Sequence, residues 1–119
     1  MKISMTGTEG NCIAEIISDD IVIKNTQDAV DLMANCLYQG ANRIIIYEKD
    51  IIPEFFDLKT GIAGDILQKF STYGVCLAIV GDFSKYTAKS LRNFIFESNK
   101  YKRINFVKTV EEAKVRLCI

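Results

Sequence analysis

The run Arg43-Ile44-Ile45-Ile46-Tyr47 holds three consecutive isoleucines with no polar residue between them. A strand with one wet face alternates apolar and polar side chains. A β-branched run without alternation suits a central strand covered on both faces. Val75-Cys76-Leu77-Ala78-Ile79-Val80 has the same character. Between the two runs, Ile62, Ala63, Ile66, Leu67 and Phe70 fall at helical spacing. Two doubly covered strands joined through a helix pair in parallel through a right-handed crossover. The need for helices on both faces of the sheet points to an α/β architecture.

The other segments fit this frame. Residues 2–8 and 12–17 flank Gly10-Asn11, residue types that tolerate left-handed turns, so an N-terminal β-hairpin is expected. After Asp19-Asp20, Ile21-Val22-Ile23 makes a brief apolar touch. Asn25 is placed to cap the first helix, and Asp28 lies in its first turn, where the helix dipole favours negative charge. Ala29, Leu32, Met33, Cys36 and Leu37 form its apolar stripe, and Gly40 ends it. Burying each larger member is worth about 1.5–3 kcal/mol, so the stripe faces an apolar sheet. Pro53 suits the first position of a helical turn, and Gly74 closes the second helix. Gly81-Asp82-Phe83-Ser84 is the turn leaving the second buried strand. Ser84 or Thr87 is expected to cap a third helix that turns Leu91, Phe94 and Ile95 inward. Residues 104–107 form the last strand. Thr109 and Glu112 form a capping box for a short helix packed through Ala113 and Leu117. The order ββαβαβαβα reads as a single domain over residues 1–119, with a mostly parallel sheet and alternating helices.

Composition removes several function classes. Lysine and arginine total 15, and aspartate and glutamate total 15. This balance leaves no electrostatic footprint for nucleic acid or an anionic membrane, so neither is expected as a partner. No apolar run approaches the roughly 20 residues of a membrane span, and the first residues lack the apolar core of a signal peptide; a cytoplasmic location is expected. Histidine is absent. Ser-His and Cys-His nucleophile pairs and His-containing zinc sites are therefore excluded. Cys12, Cys36, Cys76 and Cys118 form no Cys-x-x-Cys pair and read as reduced structural thiols. Gly61-Ile62-Ala63-Gly64 matches neither a dinucleotide fingerprint nor a P-loop. No cofactor, metal or catalytic residue is assigned.

The stretch 53–64 follows the isoleucine strand, at the strand-to-helix handover where α/β sheets form sites. With residues 54–70, EFFDLKTGIAGDILQKF, and residues 77–86, LAIVGDFSKY, it resembles a bacterial family catalogued as a domain of unknown function, number forty-one-eighty. More loosely, the element order, the small-residue helix start and the closing 106–113 segment are similar to STAS domains, the fold of anti-sigma factor antagonists. That resemblance implies a (βα) superhelix. In the antagonists an Asp ends the loop and a Ser-Gly pair opens the next helix, the Ser being phosphorylated by a partner kinase. Asp57, Thr60 and Gly61 occupy the matching places here, so the resemblance implies a phosphoacceptor role for Thr60. Leu58-Lys59 stands where the antagonists have a single small residue, and the preceding loop is longer.

Each candidate residue also has a plainer reading. Thr60 is a phosphoacceptor or a simple helix cap. Gly61 and Gly64 permit close approach of a partner or ligand, or tight packing of helix on sheet. Phe55 and Phe56 anchor a partner or cover the core; adjacent helical residues point about 100° apart, so unequal burial is expected. Tyr86 and Tyr101 are further candidate anchors. Glu48, Asp50, Asp57 and Asp82 near the strand exits form a Mg²⁺ site or, preferably, a solvated acidic rim interleaved with Lys49, Lys59 and Lys85. The expected function is a non-enzymatic regulatory module binding a protein partner through residues 48–64 and the 81–86 turn, with Phe55, Asp57, Lys59, Gly61, Gly64, Asp82, Ser84 and Tyr86 on that face. The alternative is a nucleotide or phosphate binder, or a histidine-free enzyme, in which Asp57, Lys59 and Asp82 supply polar contacts and Lys59 acts as acid or base.

Overall fold

Both apolar runs form strands at the centre of one sheet. A computed structural model describes residues 1–7 and 11–117. The elements are β1 (Lys2–Thr6), β2 (Cys12–Ile17), α1 (Thr26–Tyr38), β3 (Ala41–Tyr47), α2 (Ile62–Tyr73), β4 (Cys76–Val80), α3 (Lys89–Tyr101), β5 (Ile104–Val107) and α4 (Val110–Leu117). Three short 3-10 turns, Glu48–Asp50, Pro53–Phe56 and Leu58–Thr60, carry the chain from β3 to α2. The five strands lie in sequence order across the sheet. β1 and β2 are antiparallel, with Lys2 opposite Ile17 and Thr6 opposite Ile13. The other pairings are parallel, with Ile46 beside Ile79 and Tyr47 beside Val80. This is the expected (βα) superhelix with its N-terminal hairpin. Gly10, placed in the hairpin turn by sequence, lies outside the described residues, as does Cys118.

The missing alternation in β3 now has its cause. Ile44 and Ile46 pack on one face with Leu77, Ile79, the α1 and α2 stripes and Leu91 of α3. Ile45 packs on the other with Ala78, Val80 and the Ala113 and Leu117 of α4. The segment before α1 is tied to β3's exit, where Val22 and Ile23 both donate their N–H to the Asp50 carbonyl, at 2.7 and 3.1 Å. Buried Cys36 has its thiol pushed up to about 11 by desolvation. Cys12 and Cys76 are only half-buried, and Arg103 donates to the Cys76 sulfur at 3.6 Å.

The caps divide into two that match expectation and one that does not. At α1, the Asp28 N–H donates to Asn25 Oδ1 at 2.8 Å, and the Lys24 N–H returns to Asp28 Oδ2 at 3.0 Å. At α4, the Glu112 N–H donates to Thr109 Oγ1 at 3.1 Å, so the Thr109 cap forms, while the return bond from the Glu112 carboxylate that would complete the capping box is absent among the described residues. Neither Ser84 nor Thr87 caps α3: Ala88 holds that position with no side-chain bond, because Ser84 is spent on Asp82. Leu37 is exposed rather than in the α1 stripe, lying about 100° round the helix from Cys36.

The two borders of the sheet differ. On β5, Asn99 of α3 accepts from the Phe106 N–H at 2.7 Å and donates to the Phe106 carbonyl at 3.2 Å. A side-chain amide thus fills the pairing groups of an edge strand. No side chain among the described residues bonds to the backbone of β1 in this way. No helix among the described residues is long and apolar enough to cross a membrane.

Candidate functional site

Because β3, β4 and β5 are parallel, their exits share one edge of the sheet. Glu48, Gly81 and Lys108 each follow the last residue of one of these strands. The register that sets Tyr47 beside Val80 brings Glu48 alongside Gly81. A Cβ on Gly81 would sit 2.6 Å from Glu48 Oε1 and 2.7 Å from Glu48 Cβ, so the close approach requires glycine. Glu48 is 12% exposed, and its Oε2 lies 2.7 Å from Lys85 Nζ. The same oxygen accepts from Tyr86 Oη at 2.5 Å. The Tyr86 ring stacks on Phe56, with centroids 5.0 Å apart and planes 16° apart. Burial, and then the bond to Glu48, raise the Tyr86 pKa above the ordinary tyrosine range. Glu48, Lys49, Pro53, Phe56, Lys85 and Tyr86 line a cavity of about 340 Å³.

The 81–86 turn is therefore fixed by side chains. Asp82 and Ser84 lie in it, both exposed. Asp82 Oδ1 accepts from the Ser84 hydroxyl at 2.6 Å and from the Ser84 N–H at 3.0 Å. These bonds, with Lys85 and Lys108 nearby, hold its carboxyl below the usual range. Tyr101 ends α3, next to the start of β5 and so at the opposite edge.

The 53–64 segment is held differently. Phe55 is 1% exposed and Phe56 7%, so both are buried, contrary to the unequal burial expected. A 3-10 turn spreads adjacent side chains by about 120°. Here one ring enters the main core and the other closes under Phe83 and Tyr86. Phe55 is consequently core and presents no surface to a partner. Beyond it the backbone is supported locally. Asp57 Oδ1 accepts from the Lys59 N–H at 3.2 Å. Thr60 Oγ1 lies 2.9 Å from the Glu54 carbonyl and 2.8 Å from that of Asp57, and accepts from the Ile62 N–H at 3.3 Å. Thr60 is exposed. Gly61 has φ +77°, a conformation favouring glycine. A Cβ at Gly61 or Gly64 would meet nothing within 4 Å. The tight helix–sheet packing expected of them is absent, because both face outward.

The four exit carboxylates do not form one rim. Asp50 is 1% exposed, not solvated; its Oδ1 pairs with Lys49 Nζ at 2.9 Å, and Oδ2 has no partner among the described residues. Among the described residues no group of three His, Cys, Asp or Glu is placed to hold a metal ion. Nor does any hydrogen bond or ion pair among them join Asp57 or Lys59 to Asp82. The polar trio of the ligand-binding alternative is not brought into contact.

Two contacts escaped the sequence reading. One is Glu48 against Gly81, which the parallel register could have supplied, since 48 follows 47 as 81 follows 80. The other is Tyr47, whose hydroxyl donates to Glu15 Oε2 at 2.5 Å. That bond, with burial, pushes the Tyr47 hydroxyl up to about 12.

A sequentially ordered, mostly parallel sheet with its polar groups gathered at the strand exits defines an α/β module of the (βα)-superhelix class. The chain belongs to the family described as Domain of unknown function (DUF4180), whose profile matches residues 8–117. No curated protein matches it. Among solved structures it is similar to a Thermotoga maritima protein provisionally assigned as an anti-sigma factor antagonist. The two are 16% identical, the match covers 97% of this chain and 93% of that chain, and the TM-score is 0.48.

Proposed function

We propose that this chain is a non-enzymatic regulatory module that binds a protein partner through residues 48–64 and the 81–86 turn, with Thr60 as a phosphoacceptor. The observation that carries the reading is the bare surface around Gly61 and Gly64. Space stands open where both side chains would be, and exposed Thr60 lies directly beside it. A partner backbone can approach such a surface closely. Transfer by a partner kinase of the γ-phosphoryl group of a nucleoside triphosphate to Thr60 Oγ1, releasing the nucleoside diphosphate and the hydroxyl proton, would end the shared donation to the Glu54 and Asp57 carbonyls. It would also add a charge of about −1.5 to −2 beside the start of α2. The dipole of α2 favours that charge and Asp57 and Asp65 oppose it, so the change falls on the face the partner meets rather than on folding.

The test is capture of a partner from the native host by the tagged chain. Thr60→Glu and Gly64→Arg should each abolish capture, while Gly64→Ala should retain it. Equal recovery with all three variants would sink the proposal.

A further inference from the structure

A second cavity, of about 500 Å³, lies between α3 and α4 at the end of β5. Its volume falls within the range of small-molecule sites, about 300–1,000 Å³. Arg92, Ile95, Phe96 and Asn99 face it from α3 at positions i, i+3, i+4 and i+7, a stripe separate from inward-facing Leu91. Phe96 is 61% exposed. Phe83 and Phe106 line the same space, edge to face with centroids 5.3 Å apart.

Three observations select the occupant. The apolar lining is mainly aromatic, which favours a flat body that can meet ring faces and edges. Arg92 and Lys108 both line the cavity, and neither side chain donates a hydrogen bond or joins an ion pair within 4 Å among the described residues. Lys108 acts on exposed Asp82 only through space, and Asp82 Oδ1 is hydrogen-bonded to Ser84. Against these two cations the lining holds one acid, Glu112. Finally, Asn99 already fills the pairing groups of Phe106, so an extended peptide cannot add to β5 as a new strand.

We propose that this cavity binds a small organic anion with a flat apolar body, of the aromatic carboxylate class. Arg92 and Lys108 meet the carboxylate, while Phe83, Phe96 and Phe106 meet the ring. The cavity shares Phe83 and Ser84 with the 81–86 turn but does not include Thr60, and naphthoate binding is read on the chain alone, so its failure would leave the Thr60 reading standing.

The probes are 2-naphthoate and its uncharged amide, titrated calorimetrically into the full chain at low salt. Naphthoate should bind at least about ten-fold more tightly than the amide. Arg92→Gln and Lys108→Gln should each weaken naphthoate about five-fold without changing amide binding, whereas Glu112→Gln should tighten it by a few fold. Phe96→Ala should weaken both probes. All four residues lie outside the buried core, so each variant should keep the parent's melting temperature within a few degrees. Equal affinity for acid and amide, failure of naphthoate to bind, or insensitivity to the charge changes would overturn the assignment.

Discussion

The two halves of the strand-exit face are built on different plans. The 81–86 turn is tied across the sheet by side chains: Glu48 grips Lys85 and Tyr86, and Gly81 lies against its carboxylate. The 53–64 segment sinks two rings, Phe55 into the core and Phe56 under Phe83 and Tyr86, and beyond them rests on its own backbone and on Thr60. One half is fixed by contacts from a neighbouring strand. The other leaves a patch of surface with no side chain over it. A regulatory modification has more room to act on the second than on the first.

The largest test removes the deeper of the two rings. Phe55→Ala should cost about 3–5 kcal/mol in urea unfolding, since it empties a fully enclosed ring position. A loss under about 1 kcal/mol would mean the segment is held elsewhere. Next, Gly81→Ala should cost about 1–3 kcal/mol, because the new methyl meets Glu48 at its Cβ as well as at its flexible end. If Gly81→Ala were neutral, the contrast between the halves would fail.

A smaller effect is read against pH. Tyr47 and Tyr86 both have pKa values raised above the ordinary tyrosine value of about 10, so the folded chain holds these protons more tightly than the unfolded one. Their contribution is complete below pH 10 and is lost as pH rises through the folded values. Urea midpoints should therefore fall more steeply above pH 10 in the parent than in Tyr47→Phe. Parallel curves would remove the Glu15–Tyr47 bond as the cause.

The smallest change runs the other way. Gly64→Ala should stabilise by about 0.5–1 kcal/mol, since the position is helical and open. Gly61→Ala should destabilise, because φ is +77° there. A melting temperature lowered by Gly64→Ala would mean that a neighbour fills the space.

The sheet was legible because its signals are local or periodic. The Ile44–Ile46 run, the caps at Asn25 and Thr109 and the stops at Gly40 and Gly74 each name an element without reference to any distant residue. The site was legible only in part. That residues 53–64 and 81–86 share one edge follows from parallel pairing, and the structure agrees. Depth did not follow. A 3-10 turn is too short to show a period, so neither the burial of both phenylalanines nor that of Asp50 was visible. The start of α3 was misplaced because Ser84 has two possible uses, and Asp82, two residues away, takes it.

Asn99 has a consequence for crowding and self-association. With its amide filling the partner groups of Phe106, the β5 border is shut to strand addition. Among the described residues, the β1 border is the one whose pairing groups no side chain covers. Two chains meeting there would each turn the Asn99-covered border outward, which disfavours growth beyond a pair.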